Sequence, residues 1–226
     1  MRATDFVREA ETGTPAAKEI EAKLTRAGYS KLGSGADATV WTKDEDTVIK
    51  ILMPDEPSDS ATLAFLKFYE FTQQHSNLSC LPKFREIGGA HHSFFMIGDV
   101  QYTQIAMERL YPIPSGSFEE TMVWILSDMA TGKQEWDEVV NIIHDPQTWK
   151  DFEGKGKLDT VIDTIDNWDD RTYNDWGILF SVMQMLYLTG QINRFGWDLH
   201  TENVMMRKSG SLVIIDPWFA INEGSL

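Results

Sequence analysis

The hydrophobic period changes once along this chain, and that change limits the folds open to it. Between Tyr29 and Arg109, short β-branched and aromatic runs stand at Tyr29–Leu32, Thr39–Thr42, Thr47–Leu52, Phe84–Gly88, Ser93–Ile97 and Thr103–Arg109. Runs of that length, bounded by Gly, Asp and Pro, predict strands. From Phe118 the repeat becomes helical, with helices predicted over Glu119–Met129, Glu135–Ile143, Leu158–Trp168 and Trp176–Leu188. Leu110-Tyr111-Pro112-Ile113-Pro114 lies at the change, and its two prolines make it a stiff linker. Two helices belong to the front half. Thr14-Pro15 has the form of an N-cap followed by a first-turn proline, with Ala17, Ile20, Leu24 and Ala27 at helical spacing and Gly28 as the stop. Ala61–His75 is free of Gly and Pro and reads as the second. The tail alternates again at Val204–Met206 and Leu212–Ile215.

The prediction is an α+β fold: a small antiparallel sheet with one main helix, then a mostly helical half, with a ligand cleft between halves. The segments are 1–28 (a helical lead), 29–110 (the sheet-bearing lobe) and 111–226 (a short helical lobe). The composition agrees. Hydrophobic residues make up 42% of 226, and eight Trp and twelve Phe suffice for a core. A single cysteine, Cys80, excludes an internal disulfide and points to a reducing, cytoplasmic compartment. The N-terminus lacks an apolar leader, and no run approaches the ~18 apolar residues of a membrane span.

The formal net charge is −15, which argues against direct binding to nucleic acid or to an anionic membrane. Residues 115–180 hold fifteen Asp or Glu against five Lys or Arg. Such a stretch is either a well-solvated helical surface or a face that docks a basic partner.

Four clusters carry side chains suited to chemistry. Gly33-Ser34-Gly35-Ala36-Asp37-Ala38-Thr39-Val40 joins two predicted strands, where glycines let backbone N–H groups approach a phosphate. In Val48-Ile49-Lys50-Ile51 the alternation turns Lys50 away from Ile49 and Ile51. Glu70 lies in mid-helix beside Phe68, Tyr69 and Phe71, on a face shared with Leu63 and Leu66, and a carboxylate there calls for a cation such as Lys50. The fourth cluster is the most specific. Asp198 and Asn203 are five apart on a polar loop after Phe195-Gly196-Trp197, and Asp216 follows the apolar run Val213-Ile214-Ile215. Two carboxylates and an amide carbonyl suit a hard divalent cation such as Mg²⁺.

In order and spacing these clusters resemble the protein-kinase superfamily. Gly33-x-Gly35-x-x-Ala38-x-Val40 resembles the phosphate-covering loop, Val48-Ile49-Lys50 the strand with the ATP-contacting lysine, and Glu70 its helix partner. Ala106-Met107-Glu108-Arg109-Leu110 resembles the adenine-holding hinge. Asp198-Leu199-x-x-x-Asn203 resembles the catalytic loop and Asp216 the metal-binding aspartate. The pattern departs from the family at Ala38, at Gly196-Trp197 before the catalytic aspartate, at His200 in place of a lysine, and at Pro217-Trp218 after the metal aspartate. Ten residues follow Asp216, from which a truncated C-lobe without an activation segment is expected.

The resemblance implies ATP and Mg²⁺ as cofactors. It implies nucleotide contacts from Gly33, Ser34, Gly35, Val40, Lys50 and Glu108, catalytic roles for Asp198, Lys50, Glu70 and His200, and metal ligation by Asn203 and Asp216. Within the superfamily, the brevity and the Asp-x-His-x-x-Asn-x-Met run look most like the compact serine/threonine kinases of lytic podophages. These act on host proteins, including transcription and RNA-processing machinery, in the host cytoplasm. The same Asp-Leu-His-x-x-Asn run also resembles aminoglycoside and other small-molecule phosphotransferases. A third reading is an acidic kinase scaffold that inhibits a host factor by binding it.

Overall fold

The computed structural model describes residues 15–34, 38–52, 60–86, 92–97, 99–145 and 155–221. The chain divides into two compact units. The first comprises residues 15–76 and 82–109 of the described chain, and the second residues 77–81 and 110–221. Three features of this division differ from the sequence segments: the leading helix belongs to the first unit, and 77–81 and Leu110 belong to the second.

In the first unit, α1 (Pro15–Arg26) ends where Gly28 takes a φ of +85°. The Gly28 amide donates to Thr25 O and the Tyr29 amide to Leu24 O. This pair of bonds satisfies the last helical carbonyls, and glycine adopts the left-handed conformation without a Cβ penalty. The strands β1 (Ser30–Ser34), β2 (Ala38–Thr42), β3 (Thr47–Leu52), β4 (Phe84–Arg85), β5 (His92–Ile97) and β6 (Val100–Glu108) form one antiparallel sheet. Its order is β1-β2-β3-β6-β4, and β5 also pairs with β6. Ile49 and Ile51 of β3 join Trp41, Tyr102 and Ile20 of α1 in a core cluster. Alternation sends Lys50 to the other face, where α2 (Ser60–Gln74) packs. With a helix on each face, β3 is apolar on both sides, and each fully buried Ile contributes roughly 1.5–3 kcal/mol. Phe65 and Tyr69 of α2 meet Phe84 of β4 edge to face.

The second unit begins at β7 (Tyr111–Pro112), inside the proline segment. It continues through α3 (Phe118–Met129), α4 (Trp136–His144), α5 (Lys155–Ile165) and α6 (Asp170–Asn193). Each well-defined helix start has a sequence reason. Ser117 accepts from the Glu120 amide at α3, Glu135 and Glu138 make a capping box at α4, and Asp169 accepts from the Thr172 amide at α6. Trp136, Trp168, Trp176, Phe118 and Tyr173 pack together, with Trp168 and Trp176 stacked at 5.8 Å between ring centres. After α6 come β8 (Phe195–Trp197), a 3-10 turn over Thr201–Asn203, β9 (Val204–Met206), β10 (Leu212–Ile214) and β11 (Trp218–Ala220). β9 pairs with β10 and β7, and β8 pairs with β11. The α+β class expected from the sequence is the class observed. No described helix is long and apolar enough to cross a membrane.

Candidate active site

In the second unit the chain leaves β8 at Asp198, passes the 3-10 turn and enters the β9–β10 hairpin, which returns it to Asp216. Two backbone hydrogen bonds bracket Asp216. The Ile215 amide donates to Asn203 O at 2.9 Å, and the Asp198 amide donates to Pro217 O at 2.9 Å. The residues on either side of Asp216 are thus tied to the loop that carries Asp198 and Asn203. Those bonds use main chain alone.

Asn203 Nδ2 donates to Asp198 O at 2.7 Å and to Asp198 Oδ2 at 3.2 Å. With its NH₂ facing Asp198, the Asn203 carbonyl oxygen points from the opposite end of the amide. His200 Nδ1 accepts from the Glu202 amide at 3.2 Å, and its Nε2 lies 3.8 Å from Asp198 Oδ1. Nε2 is also 3.2 Å from Asn203 Nδ2. A neutral imidazole accepts at one nitrogen only, so the ring takes either the Glu202 or the Asn203 amide. Burial pushes the Asp198 carboxyl above the usual carboxylate range, and the Asp216 charge pushes the same way. The His200 ring and the Asn203 hydrogen bond pull it down. A raised carboxylate is a better proton acceptor near neutral pH.

Asp216 and the Asn203 carbonyl are oxygen donors, a type that would suit Mg²⁺. No group of three or more His, Cys, Asp or Glu suited to a metal occurs among the described residues. Mg²⁺ is characteristically held by one or two carboxylates together with substrate phosphates, and Asp216 with Asn203 Oδ1 supplies such a pair of oxygens.

In the first unit, Gly33 pairs with Val40 and Ser34 with Thr39, with an irregularity between Lys31 and Gly33. Gly35 and the loop tip at 35–37 lie outside the described residues. The Ser34 hydroxyl is buried and meets no hydrogen-bond partner among the described residues. Buried polar atoms rarely stay unpaired, and a phosphate oxygen would satisfy this one. Lys50 Nζ lies 3.9 Å from the centre of the Phe65 ring, a cation–π contact that fixes the end of the side chain.

One expectation for this unit is corrected, and a second is narrowed to the Glu108 carbonyl. Glu70 does not hold Lys50: its carboxylate pairs with Lys67 at 2.7 Å, three residues earlier on α2, and its side chain is 53% exposed. The exposed partner removes the need for a buried cation that motivated the pairing. Glu108 does not offer its amide to adenine. That N–H donates to Lys83 O at 2.8 Å, and Glu108 Oε1 accepts from the Lys83 amide at 2.9 Å. The Arg109 amide is also committed, to Asp46 O at 2.9 Å. The backbone amides of both Glu108 and Arg109 are therefore already committed within the unit.

The sequence did not reveal the β8–β11 pair or the indole hydrogen bonds that hold it. Trp197 Nε1 donates to Ser127 O and Trp218 Nε1 to Leu186 O. The available signal was the two departures from the family pattern, Gly196-Trp197 and Pro217-Trp218.

No family model matches this chain. No curated protein matches it. Solved structures similar to it include amicoumacin kinase hAmiN in complex with AMP-PNP, Ca²⁺ and Ami. That structure is 14% identical, with 88% of this chain and 65% of that chain covered and a TM-score of 0.42. They also include the streptomycin–ATP–APH(2")-IIa ternary complex (12% identity, 91% and 72% covered, TM-score 0.34). A third is the aminoglycoside phosphotransferase of Alicyclobacillus acidocaldarius (16% identity, 90% and 67% covered, TM-score 0.38). This chain therefore spans a little under two thirds of amicoumacin kinase hAmiN. At these identities and scores the likenesses assign neither activity nor substrate.

Proposed function

We propose that this chain is an ATP-dependent phosphotransferase acting on a hydroxyl. The bracketing of Asp216 by the Asp198–Pro217 and Asn203–Ile215 backbone bonds carries the proposal. It ties the backbone that carries a base candidate, Asp198, and a metal-ligand candidate, Asn203, to the backbone on either side of a second, Asp216. Mg²⁺ bound with ATP would supply charge neutralisation at the phosphate oxygens. The remaining roles belong to this chain. Asp198 orients the acceptor hydroxyl and takes its proton. Asn203 aims Asp198 through two hydrogen bonds and offers its carbonyl oxygen to the metal. His200 stands beside Asp198 and donates toward a phosphoryl oxygen when protonated. On the first unit, Lys50 and the Ser34 hydroxyl are the groups suited to phosphate oxygens. Positioning and electrostatics of this kind supply most of the rate in phosphoryl transfer.

For the acceptor we propose a small, amine-bearing alcohol. Asp128, Glu135, Asp137, Glu138 and Asp175 are exposed on the second unit, within the stretch that carries a net −10. A field of that sign concentrates cations at the surface. The Asp-Leu-His-x-x-Asn run, which resembles small-molecule phosphotransferases, supports the same choice. The test is incubation with γ-labelled ATP and Mg²⁺ against polycationic amino-alcohols and against lysate protein. Label in the amino-alcohols is expected. Label confined to protein Ser or Thr would replace this acceptor by the serine/threonine-kinase alternative. No transfer to any hydroxyl would favour the non-catalytic binding scaffold.

A further inference from the structure

We propose that Trp197 and Trp218 are positioning residues, whose indole N–H groups pin the strand pair carrying the reactive loop to two different helices. The proposal rests on the phosphotransferase reading, since the pair matters for rate only if Asp198 and Asp216 act. Trp197 stands opposite Trp218 in the β8–β11 ladder. Its Nε1 donates to Ser127 O of α3 at 3.2 Å. Trp218 Nε1 donates to Leu186 O of α6 at 2.9 Å, and Trp218 is 4% exposed. Asp198 directly follows one tryptophan, and Pro217 directly precedes the other. The Asp198 amide closes the gap onto the Pro217 carbonyl. Two anchors on separate helices remove both sliding and rotation of the short strand pair, which three residues per strand cannot prevent alone.

The surroundings are shaped around these rings. A Cβ on Gly190 would stand 2.7 Å from Trp218 Nε1, so α6 carries no side chain where the indole crosses it. The Phe219 ring lies over the Cα of Gly196, in space that a side chain there would need. Phe195 stacks on Trp218 with ring centres 5.6 Å apart. Trp197 also meets Tyr187 edge to face at 5.6 Å. The motif departures at Gly196-Trp197 and Pro217-Trp218 meet in one ladder, in which Gly196 leaves room for the Phe219 ring and the Pro217 carbonyl accepts from the Asp198 amide.

Trp218→Phe keeps an aromatic ring in place to face Phe195 and removes the indole N–H together with its five-membered ring, so Gly190→Ala, which leaves the indole whole, is the control for lost volume. Trp197→Phe does the same at the other anchor. The readouts are steady-state kinetics for ATP-dependent transfer and amide hydrogen exchange at Asp198 and Ile214. In each variant, kcat is expected to fall about tenfold with KM for ATP within about twofold, the effect of a small misplacement of the reacting group. Exchange at the Asp198 amide should accelerate, while the Ile214 amide, which donates to Cys80 O, stays as in wild type. Gly190→Ala, which crowds the Trp218 indole from α6, should reproduce both changes. Unchanged kcat and unchanged Asp198 exchange would overturn the proposal. So would exchange that rises equally at Asp198 and Ile214, because general loosening would then explain the loss. Absence of phosphoryl transfer in the wild type would instead sink the phosphotransferase reading, and the exchange data would still decide whether the indoles pin the loop.

Discussion

The amide of Asp198 donates to the carbonyl of Pro217 at 2.9 Å, which joins the candidate base to the residue after the candidate metal ligand through main chain alone. Side chains at 198 and 216 can therefore be changed without removing either atom of this backbone bond. Asp216→Ala should abolish Mg²⁺-dependent turnover at any metal concentration while leaving the melting temperature within a few degrees of wild type. Turnover against Mg²⁺ concentration, beside a thermal melt, checks both halves. Residual Mg²⁺-dependent activity near the wild-type level would remove Asp216 from the metal site.

Lys50 and Glu70 should separate in their effects. Lys50→Ala removes a cation assigned to phosphate, and such a loss of charge stabilisation typically lowers kcat about 10²–10³-fold. Glu70→Gln breaks only an exposed pair with Lys67, so activity should stay within about twofold and stability within about 0.5 kcal/mol. Parallel kinetics on the two variants decide the matter. A Glu70→Gln enzyme as impaired as Lys50→Ala would restore the pairing that the sequence suggested.

Arg194 closes α6 in the left-handed conformation, with φ 59° and ψ 38°. It is the sole described non-glycine residue with positive φ. A non-glycine residue there carries a strain of roughly 1–2 kcal/mol, part of which glycine would lose again through its freer unfolded chain. Arg194→Gly should raise stability by about 1 kcal/mol, read as a higher denaturant midpoint with unchanged slope. A lower midpoint would show that the Arg194 side chain holds this turn.

His144 gives stability a pH dependence with a defined sign. Its Nδ1 lies 2.7 Å from Val140 O and its Nε2 3.0 Å from Asp166 Oδ1. The charged ring can donate to both, whereas a neutral ring donates to one. The Val140 carbonyl chiefly, and then the Asp166 carboxylate, raise its pKa above 6.5 against some opposing burial. The folded state thus binds this proton more tightly than the unfolded chain. The stabilisation is fully present below the unfolded value and is lost as pH rises through the folded one. The gap in denaturant midpoint between wild type and His144→Gln should shrink from about pH 5 to about pH 8.5. A gap that widens toward alkaline pH would contradict this sign.

Much of the architecture could be read in the residues. The period-two runs placed β2 and β3 closely, because Trp41, Ile49 and Ile51 alternate cleanly with polar or opposite-facing neighbours. Gly28 marked the end of α1 because its left-handed φ is a backbone demand visible in composition. Lys50 was placed on the correct face by alternation alone. α6 was foreseen over Trp176–Leu188 but runs from Asp170 to Asn193, since its ends are polar and fixed by the Asp169 cap and the Arg194 turn. Strands β8 and β11 were not legible, because three residues cannot show a period and their pairing lies across the hairpin. Glu70 was misassigned because a carboxylate on an aromatic-rich helix has two ways to find a cation, and Lys67 lies one turn away on the same helix. That the Glu108 amide is taken was not legible, because a motif names a strand end without saying which amides the neighbouring segment already uses, and residue 83 lies 25 positions away.

The central claim is that Asp198 accepts the proton of a hydroxyl that receives the γ-phosphoryl group of ATP. Transfer of label from γ-labelled ATP in the presence of Mg²⁺, with wild type beside Asp198→Asn, addresses it most directly. The account predicts labelled acceptor with wild type and a loss of about 10²-fold or more with Asp198→Asn, at unchanged nucleotide affinity. Equal labelling by the two proteins, or none by the wild type with any amino-alcohol or protein acceptor, would contradict it.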